Sequence, residues 1–338
     1  MWSFIKPINL IRYLVIWRVN RTLVRLPYCL ATDISRVMGS VIANRLPTRT
    51  AAPWQKALEP WQEFQAKPDA EKKKSAIPEV AWPLESVIFT YPGKQHYGQD
   101  ELILWELKLM GEEVTHGLFL ETILPAMEEA GSTSDSQWYA RHSLWGRFDI
   151  DSIYVARGAQ WEPVVKAGRL DLSYRPDPGQ WAEGLTFGAA AREVDRLTWL
   201  THFDFTTTPG TAESTPPLLP RKGDTIPDEE IPDLLRLMDA LIERLAILLP
   251  GKYNKPGDVW DIMEPQEQAD LQEVIQQIYH IPVRHKDFSP VPSYWPGRWT
   301  GNQTFSTIPP AVIPYLDLAA ILHLGKQTHF GCGTFRVM

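Results

Sequence analysis

Hydrophobic positions near the start of the chain change from strand-like to helix-like spacing. Residues 8–24 are rich in Ile, Leu, Val and Trp with arginines between them, which is typical of a long strand. Apolar residues over 34–46 recur at helical spacing and predict a helix that begins at Thr32 or Asp33. The opposite side of this helix is predicted to be polar, cationic and sterically open, and it carries Arg36, Ser40 and Asn44.

The rest of the first half completes one recognisable pattern. Residues 84–91, 101–110 and 147–155 are predicted strands, and residues 117–130 a predicted helix. Residues 47–83 are rich in Pro, Ala and Lys and are predicted to be a loop or linker excursion. The order strand, helix, two strands, helix, strand is the split βαβ pattern of a ferredoxin-like domain.

The same order recurs in the second half. The predicted elements are a strand over 195–207, a helix over 231–249, a hairpin over 285–308, a helix over 312–324 and a strand over 328–337. A hairpin-containing insert over 160–188 separates the two copies. The predicted fold class is therefore α+β, with two tandem ferredoxin-like domains over 1–157 and 158–338.

Composition narrows the class of protein. The 338 residues are 44% hydrophobic and 22% charged, so the chain can bury a core. Its two cysteines exclude a disulfide scaffold and a four-cysteine zinc site. No apolar run approaches the roughly 20 residues that a membrane helix needs, so we expect a cytoplasmic protein with no membrane partner.

The net charge of −7 conceals an asymmetry along the chain. Residues 1–49 carry a net +7 and residues 284–338 a net +3, so the segment between them carries −17. A polyanion would be attracted to the two ends and repelled by the middle.

The most specific local feature is a glycine-rich run over 323–337. It contains Gly325, Lys326, His329, Gly331 and Gly333. Glycines permit positive φ and close approach of a ligand, and exposed amides beside a lysine suit a phosphate chain. The alternative is purely structural, with the first glycine capping a helix and the other two forming a bulge.

This run, His-Leu-Gly-Lys-x-Thr-x-Phe-Gly-x-Gly before a short strand, resembles the C-terminal signature of the CRISPR-associated RAMP superfamily. It looks most like the endoribonuclease that processes precursor CRISPR RNA. Four further segments are similar to family blocks in the same order. Residues 26–39 resemble the opening of the first helix, and residues 101–111 with the helix after them resemble the strand, Leu-x-Gly, helix block. Residues 203–209 resemble the Phe-x-Thr-Pro strand, and residues 295–304 resemble the hairpin before the last helix.

The resemblance implies a function and its partners. It implies two ferredoxin-like domains, binding of CRISPR repeat RNA, contact with other CRISPR effector subunits, and cleavage that needs no metal or other cofactor. A ribose 2′-OH would attack the adjacent phosphate and leave a 2′,3′-cyclic phosphate and a 5′-OH. Such a reaction needs a base, a cation and an acid.

Candidate site residues follow from the matching positions. Many family members have a histidine in or near the first helix, whereas this chain has none before His96 and has Ser40 near the expected position. The candidate catalytic residues are Tyr28, Arg36, Ser40 and Arg45. The candidate RNA-binding residues are Arg284, His285, Arg298, Gly325, Lys326, His329, Gly331 and Gly333. If both groups serve one RNA, Arg36 and Lys326 line one positive surface.

The remaining histidines and the tryptophans are interpreted from their neighbours. Apolar surroundings predict structural imidazoles at His142, His202, His280 and His323, and loop positions predict solvated imidazoles at His96 and His116. Core positions are predicted for Trp105 and Trp199, and base stacking for Trp295 and Trp299.

Three functions stay open at this point. The chain is a metal-independent endoribonuclease, a catalytically inactive RAMP subunit that binds RNA, or a protein-interaction module whose acidic middle docks partners. Salt-dependent RNA affinity separates the first two from the third. Cyclic-phosphate ends on cleaved repeat RNA separate the first from the second.

Overall fold

The computed structural model describes residues 2–72, 75, 78, 82–133, 142–184, 193–206, 223–251 and 254–338. They divide into two units. The N-terminal unit comprises Ile8–Ala66 and Pro78–Leu185, and the C-terminal unit comprises Met1–Pro7, Lys67–Ile77 and Thr186–Met338. The units divide near residue 185 rather than at the expected 157, because the strands that follow residue 157 continue the N-terminal sheet.

The described residues of the N-terminal unit form the strands β1 (Leu10–Val19), β2 (Val24–Arg25), β3 (Glu85–Thr90), β4 (His96–Tyr97), β5 (Leu102–Met110), β6 (Phe148–Arg157), β7 (Gln160–Lys166) and β8 (Arg169–Leu170). Six of them form an antiparallel sheet in the order β3-β5-β1-β6-β7-β8, and β2 pairs with β4 in a separate ribbon. Strands β3, β5, β1 and β6 are the second, third, first and fourth strands of a βαββαβ unit, which is the ferredoxin-like order.

The α-helices described between these strands are α1 (Leu30–Arg45), α2 (Thr48–Ala66), α3 (Asp69–Lys72), α4 (His116–Leu118) and α5 (Leu124–Ser132). Helix α3 groups with the C-terminal unit, and a π-helical turn, Phe119–Ile123, joins α4 to α5. The core lies between the sheet and helices α1 and α5, where the Tyr13 ring of β1 stacks on Phe119 at 3.9 Å.

Part of the segment 47–83, which was expected to be a loop, forms helix α2 instead. Its buried residues Trp54, Leu58 and Trp61 recur at helical spacing, so the periodic signal was present in the sequence. Pro53 and Pro60 inside the helix each remove one backbone hydrogen bond, which is why this composition suggests a loop. Burial of the apolar face against α1 outweighs those losses.

Helix α1 also differs in detail from the expectation. It begins at Leu30 with Cys29 as its N-cap residue, and the Thr32 hydroxyl donates to the Cys29 carbonyl at 2.9 Å. The side that was predicted to be open is partly covered, because Gly39 faces the side chains of Trp82 and Leu58. The polar side of the helix is therefore narrower than the sequence suggests.

The C-terminal unit repeats the topology. Its strands are β9 (Arg196–Trp199), β10 (Val283–Pro290), β11 (Trp299–Phe305) and β12 (Phe335–Val337), and its other helices are α6 (Leu234–Leu248), α7 (Pro256–Ile262), α8 (Pro265–Ile278) and α9 (Ile313–Leu322). The antiparallel sheet has the order β10-β11-β9-β12, again second, third, first and fourth. The expected fold class, α+β with two ferredoxin-like domains and a glycine-rich C-terminal loop, is confirmed.

Two strand predictions in this unit were too long. The first, over 195–207, is reduced to β9, and Thr207 lies outside the described residues. The second, over 328–337, is reduced to β12, preceded by a 3-10 turn at Thr328–Phe330. Glycines with positive φ interrupt the extended backbone there.

In the described part of the chain, no helix has the length and hydropathy that crossing a membrane requires.

Candidate functional site

The start of α1 holds two of the candidate catalytic residues. Tyr28, in the loop before the helix, is 61% exposed. Arg36 is half-buried in the second turn, and its Nη2 donates to Asp33 Oδ1 at 2.7 Å. Asp33 Oδ2 accepts a second hydrogen bond from Trp145 Nε1 at 2.7 Å. The Asp33 carboxylate thus fixes the Arg36 guanidinium close to the start of the helix.

The other two candidates do not join them. The Ser40 hydroxyl donates to the Arg36 carbonyl at 2.8 Å, a bond within the helix backbone. Arg45 lies in the last turn, and at about 1.5 Å per residue it is roughly 14 Å along the helix axis from Arg36. Its Nη1 pairs with Glu129 Oε2 at 2.6 Å. The structure therefore separates Arg45 from Arg36, and Tyr28 lies in the loop that leads into the same helix.

The β2–β4 ribbon brings further side chains to this place. Arg25 lies directly opposite His96. The Leu26 amide donates to the Gln95 carbonyl at 2.8 Å, so the Arg25–His96 pair is of the non-hydrogen-bonded kind, in which side chains come closest. On the other flank of β2, the Arg25 amide donates to the His142 carbonyl at 2.7 Å. Arg25 thus lies between two histidines.

The segment 142–147 connects the ribbon to α1. His142 bonds to β2, and Trp145 bonds to Asp33 across 112 residues of sequence. Arg147 accepts a hydrogen bond from the Asn20 amide through its carbonyl at 3.0 Å. These bonds assemble what we call the α1-start cluster, which consists of Arg25, Tyr28, Arg36, His96 and His142.

Sequence reasoning missed three members of the α1-start cluster, Arg25, His96 and His142. His96 is exposed as predicted, but the ribbon that places it beside Arg25 has no strong sequence signal because each strand has two residues. His142 is half-buried and has a positive φ of 65°, a conformation uncommon for a residue other than glycine. Long-range pairing, rather than a motif, creates the cluster.

The electrostatics of the cluster depend on which charges are already paired. Lys94 forms an ion pair with Glu101 at 2.5 Å, and this bond lowers the pKa of Glu101. Arg25 is exposed and makes no ion pair with a carboxylate in the described part of the chain. Burial raises the pKa of the Cys29 thiol, so the N-cap of α1 carries a thiol rather than a thiolate. Of the two arginines in the α1-start cluster, Arg25 is therefore the more open to a phosphate.

The glycine-rich run of the C-terminal unit is packed against its own backbone. Gly333 has φ +82°, and a Cβ there would lie 1.8 Å from the Leu324 carbonyl oxygen. Gly325 has φ +84°, and a Cβ there would lie 2.5 Å from the Asp204 carbonyl oxygen. Gly331, with φ 77°, closes the 3-10 turn. The chain's own backbone therefore accounts for Gly325 and Gly333. The structural alternative differs in its details, because α9 is capped by His323 rather than by Gly325, and Gly331 ends a 3-10 turn.

Three amides of this run are already used inside the protein, which bears against the phosphate-cradle expectation at those positions. The Lys326 amide donates to the Asp204 carbonyl at 2.9 Å, and the Gly333 amide donates to the His202 carbonyl at 2.8 Å. The Gly331 amide donates to the Thr328 carbonyl at 2.8 Å. Amides that already donate inside the protein are not available to a phosphate. His329 is buried, which removes it from any surface contact, whereas the Lys326 side chain is half-buried.

The environment of Arg298 corrects a second expectation, that its side chain binds RNA. Its guanidinium donates to both carboxylate oxygens of Glu230, at 2.9 and 3.2 Å, and both residues are buried. Trp299 Nε1 donates to the same carboxylate at 2.6 Å. Arg298 and Trp299 therefore belong to a buried polar cluster rather than to a surface that RNA reaches. Trp295 is half-buried, with its ring stacked on His202 at 5.4 Å.

One face of the sheet in this unit carries three exposed basic residues. Arg284 and His285 are exposed on β10. His285 pairs with Thr304, which pairs with Arg196, so all three point to the same face. Arg336 of β12 shares that face, because its neighbours Phe335 and Val337 are buried. Arg196 and Arg336 are additions to the candidate list.

The remaining histidine and tryptophan predictions have mixed outcomes. His202 and His323 are structural, as expected, with Nδ1 atoms bonded to backbone carbonyls. His116 was predicted to be solvated but is buried, with Nδ1 3.0 Å from the Tyr13 hydroxyl. His280 was predicted to be structural but is exposed. The expected core tryptophans Trp105 and Trp199 are buried.

Within the described residues, no group of three or more His, Cys, Asp or Glu side chains is arranged to hold a metal ion.

Lys326 belongs to the C-terminal unit and Arg36 to the N-terminal unit. The expectation that they line one surface stays a prediction.

Comparison with known proteins gives a likeness in fold. No protein-family model and no curated protein sequence matches the chain. Over 98% of its length the chain superposes on the partial Cas6-RT-Cas1–Cas2 complex with a TM-score of 0.51 and 13% identity, and the Cas6-RT-Cas1–Cas2 complex gives the same values. This chain spans 46% and 29% of those two chains, about half of their length or less.

A Cas6 product complex aligns over 98% of this chain and 99% of that chain, with 16% identity and a TM-score of 0.47. The two likenesses at a TM-score of 0.51 show the fold alone. The resemblance expected from the glycine-rich run is confirmed at that level: Cas6-containing structures share this arrangement of antiparallel sheets and helices.

Proposed function

We propose that this chain is an endoribonuclease that binds CRISPR repeat RNA and cleaves the precursor transcript. The observation that carries this proposal is the α1-start cluster, in which an exposed arginine, a tyrosine and an ion-paired arginine lie at one end of a ferredoxin-like unit. The fold likeness to Cas6-containing complexes and the family signature in the glycine-rich run support it.

The proposed reaction is an attack of a ribose 2′-OH on the adjacent phosphate. The O2′–P bond forms, the P–O5′ bond breaks, one proton leaves the 2′-OH and one proton reaches the departing 5′ oxygen. Arg25 and Arg36 neutralise the oxygens of the phosphorane, and the Tyr28 hydroxyl orients the 2′-OH. Preorganised donors of this kind supply most of the rate when charge develops on oxygen.

Binding of the RNA backbone is assigned to the exposed basic face of the C-terminal unit. Arg196, His285 and Arg336 are exposed there, Arg284 is exposed next to His285, and Lys326 adds a half-buried charge in the same unit. Each phosphate contact releases condensed counterions, so the affinity should fall steeply as salt rises. The partners implied are repeat RNA and other subunits of a CRISPR effector complex.

The test uses the full-length protein, EDTA and a panel of 5′-labelled CRISPR repeat RNAs. Each RNA has a matched version with a single 2′-deoxynucleotide at the cleaved position. We expect cleavage at one position, a 2′,3′-cyclic phosphate on the 5′ product, and no cleavage of the 2′-deoxy version. Cleavage that requires an added divalent cation, or that persists with the 2′-deoxy RNA, would contradict the proposed reaction.

A second candidate function is that of a non-catalytic subunit that binds repeat RNA. It is favoured by the ion pairs of Arg36 with Asp33 and of Arg45 with Glu129, which offset the positive charge of α1. This candidate predicts tight, salt-dependent binding of the same RNA panel with no product at any pH.

A further inference from the structure

The Asp33 carboxylate connects a solvent-accessible cation to a buried indole. Its Oδ1 accepts a hydrogen bond from Arg36 Nη2 at 2.7 Å, and its Oδ2 accepts one from Trp145 Nε1, also at 2.7 Å. The side chains of Arg36 and Asp33 are 26% and 21% exposed, whereas Trp145 is 1% exposed. One end of this chain of bonds is therefore open to a ligand and the other end lies in the core.

The core of the N-terminal unit fixes the indole. The Trp145 ring packs edge-on against Trp17 of β1 at 6.2 Å and against Phe148 of β6 at 6.1 Å, and both of these residues are buried. Side chains in a close-packed interior have few alternative positions. The Nε1 donor of Trp145 thus has a defined place, and its hydrogen bond defines the place of the Asp33 carboxylate.

The Arg36–Asp33 contact differs from an ordinary ion pair on a helix surface. Pairs three residues apart usually add only about 0.2–0.5 kcal/mol to helix stability, because both side chains move freely in water. Here the core restrains one partner, so the other partner is restrained as well. Within the described residues, Nη2 is the only atom of the Arg36 guanidinium that bonds to a protein group. The edge formed by Nε and Nη1 can therefore receive an anion.

We infer that Asp33, held in place by Trp145, is a positioning residue that acts through Arg36 and orients its guanidinium toward the phosphate that is cleaved. The inference rests on the proposed function and deepens it, because it explains how a long side chain is ordered before RNA binds. With the carboxylate in place, Arg36 loses its conformational freedom when the protein folds. Without the carboxylate, that freedom would be lost during the reaction, and the rate would fall.

The competing explanation is that Asp33 merely stabilises the start of α1. Both explanations predict that loss of the carboxylate lowers the free energy of unfolding. Only the positioning role predicts a loss of cleavage rate that requires the presence of Arg36. A double-mutant cycle measures this dependence directly, since two residues that act as one unit have non-additive effects.

The first experiment measures single-turnover cleavage and RNA affinity with the repeat RNA panel in EDTA. Asp33→Asn removes the charge but keeps an oxygen that can accept from Trp145. We expect it to lower the rate by about 10–10²-fold with no loss of RNA affinity. Asp33→Asn/Arg36→Ala should be no slower than Arg36→Ala alone. Multiplied effects in the double variant, or an unchanged rate in Asp33→Asn, would overturn the inference while leaving the endoribonuclease function standing.

Two further variants serve as a control and as a test of the indole. Glu129→Gln removes the carboxylate that pairs with Arg45 at the other end of α1 and should leave the rate unchanged. Trp145→Phe removes the Nε1 donor and keeps an aromatic ring, and it should lower the rate in the same direction as Asp33→Asn. An equal rate loss in Glu129→Gln and Asp33→Asn would overturn the inference, because the net charge of the helix would then explain both.

A second measurement does not depend on cleavage. The protein is prepared with isotope-labelled arginine, and the Arg36 Nε–H resonance is identified by its loss in Arg36→Lys. We expect a heteronuclear NOE typical of an ordered group in the wild type, which falls in Asp33→Asn to the value of the exposed Arg284. Equal order of Arg36 in both proteins overturns the inference. Order that depends on Asp33, in a protein that cleaves no RNA, overturns the role in cleavage together with the proposed endonuclease function.

Discussion

The glycine-rich run of the C-terminal unit and the α1-start cluster of the N-terminal unit make an instructive pair. The run is sharply defined in sequence, yet its glycines and many of its amides are used within the protein. The cluster has only a weak signature, yet it gathers an exposed tyrosine, an exposed arginine and two histidines. A sharply defined glycine motif can therefore mark a place where two backbone segments pass close to each other, rather than a binding surface.

The two regions differ in the kind of constraint that forms them. At Gly333 the restriction is steric and local, because a Cβ would meet the Leu324 carbonyl at 1.8 Å. In the α1-start cluster the side chains are brought together by pairing between distant segments, such as Asp33 with Trp145. Substitutions in the first region should thus change folding, and substitutions in the second should change chemistry.

The largest effect is expected at Gly333. Gly333→Ala should prevent the C-terminal unit from folding, or cost at least about 5 kcal/mol, because the added methyl group meets a backbone carbonyl that cannot move away. Gly223→Ala is the matched control, since Gly223 also has positive φ (+98°) but nothing within 4 Å of an added Cβ. Chemical denaturation measures both. A folded, stable Gly333→Ala protein with weak RNA binding would restore the run as a binding loop.

The next effect concerns the buried Arg298–Glu230 pair. Arg298→Ala leaves a buried carboxylate without its partner and should lower the free energy of unfolding by about 3–5 kcal/mol. Arg284→Ala, at an exposed position on β10, should leave stability within about 0.5 kcal/mol and weaken RNA binding. Denaturation and RNA titration are run on both variants. Equal loss of RNA affinity in two equally stable variants would show that Arg298 reaches RNA after all.

The third prediction is that substitutions of the two α1 arginines, Arg36 and Arg45, differ in their effect on the cleavage rate. Arg36→Ala is expected to reduce cleavage by about 10²–10³-fold with little change in RNA affinity, as for loss of one preorganised donor. Arg45→Ala removes an exposed ion pair at the other end of the helix and should have little effect on the rate. Single-turnover rates and binding curves distinguish the two. A large rate loss in Arg45→Ala would mean that the active site extends along the whole of α1.

The smallest effect is the pH dependence of stability that arises from His116 in the N-terminal unit and from His202 in the C-terminal unit. Burial lowers the pKa of His116 in the N-terminal unit and of His202 in the C-terminal unit. Above the ordinary imidazole pKa both residues are neutral in the folded and unfolded states. As pH falls through about 6.5, the unfolded chain takes up protons that the folded protein does not, so stability declines.

His116→Gln and His202→Gln should each remove one part of this decline. The measurement is the free energy of unfolding at pH 8 and at pH 5.5 for the wild type and both variants. A decline of unchanged size in both variants would show that other groups cause it. A decline lost only in His116→Gln would assign it to the N-terminal unit.

Sequence reasoning succeeded where a local period determines the outcome. The helical stripe of α6 and the alternation in β1 fix the type of each element and the face that it buries. It failed at α2, because Pro53 and Pro60 suggested a loop although the buried apolar residues of this segment recur at helical spacing. It also failed at Arg298, because an arginine beside exposed turn residues gives no sign of a carboxylate 68 residues away.

The sequence by itself determined the order of elements, the repeat of one topology and the positions where only glycine fits, since these depend on spacing and on the steric limits of single residues. Only the tertiary structure determined which charged groups are neutralised by partners inside the protein and which side chains come into contact. Arg298 is neutralised by Glu230, while Arg25 stands between His96 and His142. Burial and proximity are properties of the packed chain, and they arise from contacts between segments that no local pattern of residues encodes.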